Sequence, residues 1–274
     1  MTFARSANVA GFVLLLACAW TTPVAAQEPS HPTYYSVPSW APDGRTIAFE
    51  SNRDGEAAVY TIRPDGSGLR RLTPPGTPGE QPNWSADGRF LVYSSISDSV
   101  RQLFRMTPDG REVAALRGTT NGFLAAFSPD GRWLLFAAQD RRPSRQYRVY
   151  VMRPDGSDRR PLGDWSKSNE DPRWTTDGTH VVFTEVPMME RLPEEAPRDF
   201  VRRRNEAQRL IAATPDGTEF RTLDPAEASR LTRDRGLSPD GRWLVYSRSV
   251  EGGAGLFLQD RSSGTERLLD RGSN

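Results

Sequence analysis

Side chains capable of covalent or metal chemistry are scarce in this sequence. Its 274 residues include one cysteine, Cys18, and two histidines, His31 and His180. Two histidines so far apart do not make the donor set of a zinc site. No G-x-S-x-G stretch is present, so a serine nucleophile on a strand-to-helix elbow is not expected. Carboxylates are plentiful, and five recur in one pattern: Asp43, Asp87, Asp130, Asp177 and Asp240, each followed by a glycine (Gly44, Gly88, Gly131, Gly178, Gly241). Asp-Gly is the signature of a tight turn, in which glycine takes a positive φ and the aspartate caps its own turn. These ten residues are therefore expected to be structural. "NRDG" at 52–55 and "PDGSD" at 154–158 lack the ligand spacing of a calcium loop. No catalytic residue, metal ligand or cofactor is predicted.

The turns belong to a larger repeat. "SWAPDGRTIAFES" (39–51) returns as "NWSADGRFLVYSS" from Asn83, "AFSPDGRWLLFAA" from Ala126, "RWTTDGTHVVFTE" from Arg173 and "GLSPDGRWLVYSR" from Gly236. A second motif runs in step: "VYTIRPDG" ending at Gly66, "LFRMTPDG" at Gly110, "VYVMRPDG" at Gly156, "LIAATPDG" at Gly217 and, more loosely, "LFLQDRSSG" at Gly264. Each unit reads as four short strands, A to D. Strand A ends on Trp40, Trp84, Phe127, Trp174 or Leu237, and Asp-Gly turns join A to B and C to D. The tryptophans recur with the units and are expected to anchor packing. His180 heads a strand B and is expected to be an ordinary strand residue. Strand B is apolar at consecutive positions, such as Leu91, Val92 and Tyr93, which suits a strand buried on both faces. Four-stranded units repeated about every 40–45 residues predict an all-β fold, a β-propeller. Five blades are counted in the single domain 27–274, with ring closure resting on side-chain packing between first and last blades.

The strings "W-S-P-D-G-R-x-L-V-Y-S" and "L-Y-x-M-x-P-D-G-S-x-x-R-R-L-T" resemble the propeller repeat of the TolB family, periplasmic proteins of the Tol–Pal system. The resemblance covers roughly residues 34–270. It implies a non-enzymatic interaction module whose partner is an envelope or periplasmic protein. Family propellers usually have six blades and an N-terminal α/β domain, and the sequence leaves room for neither. Similar repeats also build propellers in prolyl oligopeptidase-like peptidases and oligogalacturonate lyases. The alternatives are thus a glycan- or small-molecule-binding propeller and a stand-alone relative of a peptidase propeller. The lyases rely on several metal-binding histidines, which are not found here.

Antiparallel A-B-C-D order puts the A–B and C–D turns on one face of the ring and the B–C and D–A connections on the other. The length variation falls on the second face. Trp174 to Ile211 is much longer than Trp40 to Tyr60 or Trp84 to Phe104, which marks an insertion in blade 4 at about 187–208. From Arg198 on it predicts a short helix with Pro197 near its start. Phe200, Arg202, Arg203 and Arg204 are its candidate partner-binding residues, since long loops on rigid scaffolds often bind. The plain alternative is a solvated lid or a partly disordered loop. Arg53 and Asp54, in the B–C connection "SNRDGEA", are candidates on the same face, with an ordinary turn as the plain reading.

The first residues carry Arg5, an apolar run from Val9 to Trp20, and small residues at Val24 and Ala26. This predicts a secretory signal peptide, 1–26, and a periplasmic or secreted protein. The run is too short to span a bilayer comfortably, so no transmembrane span is expected in the mature chain. "LLAC" offers the alternative of a lipid anchor on Cys18. Removing Arg5 takes Lys+Arg from 36 to 35, equal to Asp+Glu at 35. A balanced charge disfavours nucleic acid as a partner. Without Cys18 the mature chain has no disulfide and must hold by its core and sheets.

Overall fold

The computed structural model describes residues 32–139, 146–232, 234–251 and 253–272. The expected signal peptide, Cys18 and His31 lie outside the described residues.

Five antiparallel sheets follow one another along the chain, each a meander of neighbouring strands. Blade 1 is β1 (Tyr35–Trp40), β2 (Ile47–Ser51), β3 (Ala58–Ile62) and β4 (Arg70–Arg71). Blade 2 is β5 (Glu80–Trp84), β6 (Leu91–Ser97), β7 (Val100–Met106) and β8 (Val113–Ala115). Blade 3 is β9 (Gly122–Phe127), β10 (Leu134–Gln139), β11 (Tyr147–Met152) and β12 (Arg160–Leu162). Blade 4 is β13 (Lys167–Trp174), β14 (Val181–Pro187), β15 (Arg209–Ala213) and β16 (Phe220–Leu223), with helix α1 (Pro197–Glu206) between β14 and β15. Helix α2 (Pro225–Leu231) leads to blade 5, which has β17 (Trp243–Val250), β18 (Gly253–Asp260) and β19 (Glu266–Asp270). Its inner strand is reduced to a single bridge, Leu237 to Leu244. A side chain at Gly236 would lie 2.1 Å from the Val245 carbonyl oxygen, so the backbones meet where only glycine fits.

The Asp-Gly turns are built as their chemistry requires. In blade 2, Asp87 Oδ1 accepts from Ser85 Oγ at 2.6 Å and from Arg89 N at 3.0 Å, and Ser85 Oγ accepts from Phe90 N. Ser128, Asp130 and Arg132 repeat the arrangement, as do Ser238, Asp240 and Arg242. In blade 4, Thr175 and Asp177 do the same around the backbone of His180, which heads β14.

Apolar clusters join the blades. Ala48, Val59 and Leu72 of blade 1 meet Trp84, Leu91 and Tyr93 of blade 2. Val92 and Leu103 meet Phe136 and Tyr150 of blade 3, and Leu135, Val149 and Val151 meet Trp174, Val181 and Phe183 of blade 4. Val245, Leu256 and Leu258 of blade 5 close on Ile47, Phe49 and Tyr60 of blade 1. First and last blades therefore close by side-chain packing, without a shared strand.

The seam between blades 4 and 5 is different. Val182, Ala212 and Leu223 turn toward Ala228 and Leu231 of α2 rather than toward a sheet. On blade 5, Tyr246 stacks on Phe257 at 6.0 Å, Arg248 covers Phe257, and Leu268 is 48% exposed. Among the described residues no apolar cluster joins these two blades. Main-chain bonds keep the inner ring continuous there, with Thr176 N donating to Leu231 O at 2.8 Å.

Candidate interaction face

The insertion of blade 4 folds back on the B–C face as α1. Ala196 sits at its N-cap in extended conformation, and Pro197 occupies the first turn, where no backbone donor is lost. The expected helix is thus present, starting at Pro197 rather than Arg198. Two arginines fix it. Arg203 forks onto Glu195, Nε to Oε1 at 2.8 Å and Nη2 to Oε2 at 2.7 Å, and also reaches the Glu190 carbonyl at 3.0 Å. This bond holds the Glu195 carboxyl below the usual carboxylate range. Arg204 spans from the helix to β13, donating to Glu170 Oε1 at 2.7 Å. Arg202 pairs only with Asp199 on its own helix, at 3.1 Å. The Arg203 guanidinium lies 5.6 Å from the half-buried Phe200 ring.

Beneath the helix lies a cavity of about 170 Å³, lined by Tyr147, Val186, Met189, Phe200, Glu170 and Arg204 among others. Three apolar side chains of the insertion stand exposed, of which Met188 also lines the cavity. Met188 is 49% exposed, Leu192 59% and Val201 53%, and α1 has no fully buried residue. Of the four residues singled out from the sequence, Arg203 and Arg204 hold the helix in place, Phe200 faces the cavity, and Arg202 projects outward. Met188, Leu192 and Val201 carry the exposed apolar surface and were not singled out. Their only signal is that they are apolar residues inside a charged insertion.

Arg53 and Asp54 do not join this cluster. Arg53 pairs with Asp270 of blade 5, which also accepts from Tyr35 Oη at 2.7 Å. Arg53 thus ties the first blade to the last. Asp54 accepts from Tyr60 Oη at 2.8 Å and stands 3.6 Å from Arg71.

Nearer the axis, inner strands β1, β5, β9 and β13 each carry one residue in left-handed conformation: Val37 (φ 47), Gln81 (φ 56), Leu124 (φ 51) and Asp171 (φ 50). Each coincides with a register shift against strand B. For a β-branched residue such as Val37 this is costly backbone. Side chains of one blade brace the bulge of the next. Glu50 Oε2 accepts from Gln81 N at 3.0 Å, and Gln81 Oε1 accepts from Leu124 N at 2.8 Å. Burial pushes the Glu50 carboxyl up, against the bonds from Tyr34 and Gln81. Among the described residues no group of three or more His, Cys, Asp or Glu side chains is placed to hold a metal ion. No described helix is long and apolar enough to cross a membrane.

Residues 25–177 match the family model of the TolB beta propeller domain. Over 41 residues the chain is 44% identical to the Tol-Pal system protein TolB of Syntrophus aciditrophicus (strain SB), a stretch covering 15% of this chain and 9% of that protein. The crystal structure of TolB from Acinetobacter baumannii superposes with a TM-score of 0.55 at 17% identity, covering 85% of this chain and 53% of that one. A putative TolB from Agrobacterium tumefaciens gives 0.55 at 14% identity, covering 88% and 82%. The chain thus spans about half the length of the Acinetobacter protein, and the two structural likenesses speak for the fold alone. With a family match over more than half its length and the blade architecture described above, the chain belongs to the TolB β-propeller family.

Proposed function

We propose that this protein is an exported, non-enzymatic propeller that binds an envelope protein through its B–C and D–A face, with the blade-4 insertion as the contact rim. The observation that carries this reading is the posture of α1. Ion pairs from Arg203 and Arg204 hold the helix firm, yet Met188, Leu192 and Val201 are left in solvent. Holding exposed apolar side chains on an anchored helix costs free energy that a folded lid does not recover, whereas a partner covering them does. The family's association with the Tol–Pal system supports an envelope partner and a periplasmic location.

The test uses residues 27–274 as bait in envelope extract, beside a Leu192→Glu/Val201→Glu double variant of matched circular dichroism and melting. A protein retained by the parent and lost with the variant is the expected result. Equal capture by both would move the contact away from α1. Capture by neither would favour glycan or small-molecule binding instead.

A further inference from the structure

The opposite face, where the A–B turns gather, has a funnel on the ring axis. The ends of the inner strands enclose a cavity of about 360 Å³ walled chiefly by Trp40, Trp84, Phe127 and Trp174. Among the described residues its charged lining is Arg173, Arg235 and Asp234, one positive charge in excess. Two donors in this lining are buried and have no acceptor among the described residues: Trp84 Nε1 and Arg235 Nη1.

The tryptophans make the exception visible. Trp40 Nε1 donates to the Gly236 carbonyl of blade 5 at 2.8 Å, and Trp174 Nε1 donates to the Ala126 carbonyl of blade 3 at 3.0 Å. Each indole thus anchors its blade to the one before. Trp84 holds the same place in blade 2 and does not make the corresponding bond. Arg235 reaches the Pro172 carbonyl only through Nη2, at 3.4 Å. Burial, followed by the neighbouring charge of Arg173, brings the Arg235 pKa down to about 10, against the opposing charges of Asp171 and Asp234. Leaving a buried donor without an acceptor is costly, and more so for a charged one. Such groups are completed by an ordered water, an ion or a ligand.

We propose that the funnel binds a monoanionic carboxylate carried on an apolar group, with the Arg235 guanidinium and the Trp84 indole N–H as the donors that hold it. A single excess positive charge suits a carboxylate better than a phosphate dianion. Aromatic walls demand an apolar body beside the anion. The volume falls within the range of pockets that enclose small molecules, about 300–1,000 Å³. The carboxylate belongs either to a free acid or to the C-terminus of a peptide.

The probes are N-acetyl-phenylalanine, its primary amide, N-acetyl-Ala-Ala-Phe with a free C-terminus, and inorganic phosphate. They are titrated calorimetrically and by tryptophan fluorescence into residues 27–274. N-acetyl-phenylalanine should bind saturably at one site, and the amide should bind about tenfold or more weakly, as befits a lost charge-assisted bond. Trp84→Phe keeps an aromatic side chain and removes the donor, so it should weaken the acid about tenfold. Arg235→Gln should weaken it at least as much, since it removes the charge that pairs with the anion. Tighter binding of the tripeptide identifies a peptide terminus, and equal binding a free acid. Equal affinity for acid and amide, preference for phosphate, unchanged binding by Trp84→Phe, or no saturable binding of either acid would overturn the proposal. If Arg235→Gln fails to fold, the amide and Trp84→Phe arms still decide it.

Discussion

At the scale of single residues, the turn aspartates connect stability to pH. Asp130 and Asp177 are each held at about 2, first by hydroxyl donors, from Ser128 and Thr175 respectively. Asp216 is likewise held at about 2, by Thr214 first. Asp87 and Asp240 are lowered in the same way, by Ser85 and Ser238. A carboxyl whose folded pKa lies below its unfolded value of about 3.9 stabilises the fold above that value and ceases to as pH falls through the folded one. The melting temperature should therefore fall between about pH 4 and pH 2. An Asp130→Asn/Asp177→Asn double variant should melt lower at pH 7 and lose less on acidification. Parallel losses in parent and variant would show that other groups govern the acid response. These turns were legible in the sequence because their partners lie within five residues. Arg203 and Arg204 were not legible in the same sense. Their type marked them as candidates, but the Glu170 partner of Arg204 lies 34 residues away and is met only once the helix has landed.

At the scale of elements, turns that look identical in sequence differ in what they touch. Gly44 and Gly110 have φ of +68° and +70°. Around Gly44 an added Cβ would meet nothing within 4 Å, whereas at Gly110 it would lie 2.9 Å from the Leu72 carbonyl oxygen of the preceding blade. Gly44→Ala should cost about 1 kcal/mol from backbone strain alone. Gly110→Ala should cost clearly more, because a joint between blades must shift. Urea unfolding would separate them, and equal losses would mean that the C–D turn does not bear on its neighbour. Strand order was readable from the repeat itself. Helix α2 was not, although its start has a local signature: Asp224 caps the N–H of Glu227 at 2.8 Å and Pro225 follows. That stretch falls outside the repeat, so the periodicity had no place for a helix covering Val182 and Ala212. The bulges at Val37 and Gln81 were equally hidden, since neither residue type favours a left-handed backbone.

For the whole molecule, the joints decide what holds the ring. Leu256 is fully buried between blades 5 and 1, while Leu268, twelve residues on, is 48% exposed beside the seam. Leu256→Ala should cost about 2–5 kcal/mol, as buried leucine truncations do. Leu268→Ser should stay within about 0.5 kcal/mol. Similar losses from both would mean that the seam is packed in solution. Blade number was legible from five returning strings, and closure through blades 1 and 5 followed from their order. Which seam would lack an apolar joint did not, because it depends on α2 taking the place of a sheet.

Four packed seams and one held mainly by backbone bonds make the ring, mechanically, a C-clamp. A load that spreads it is relieved at one place, so the bore of the axial funnel can widen without separating any packed pair of blades. The same gap is where a further repeat unit could be spliced into the chain, between Leu223 and Leu237, without dismantling a single sheet-to-sheet core.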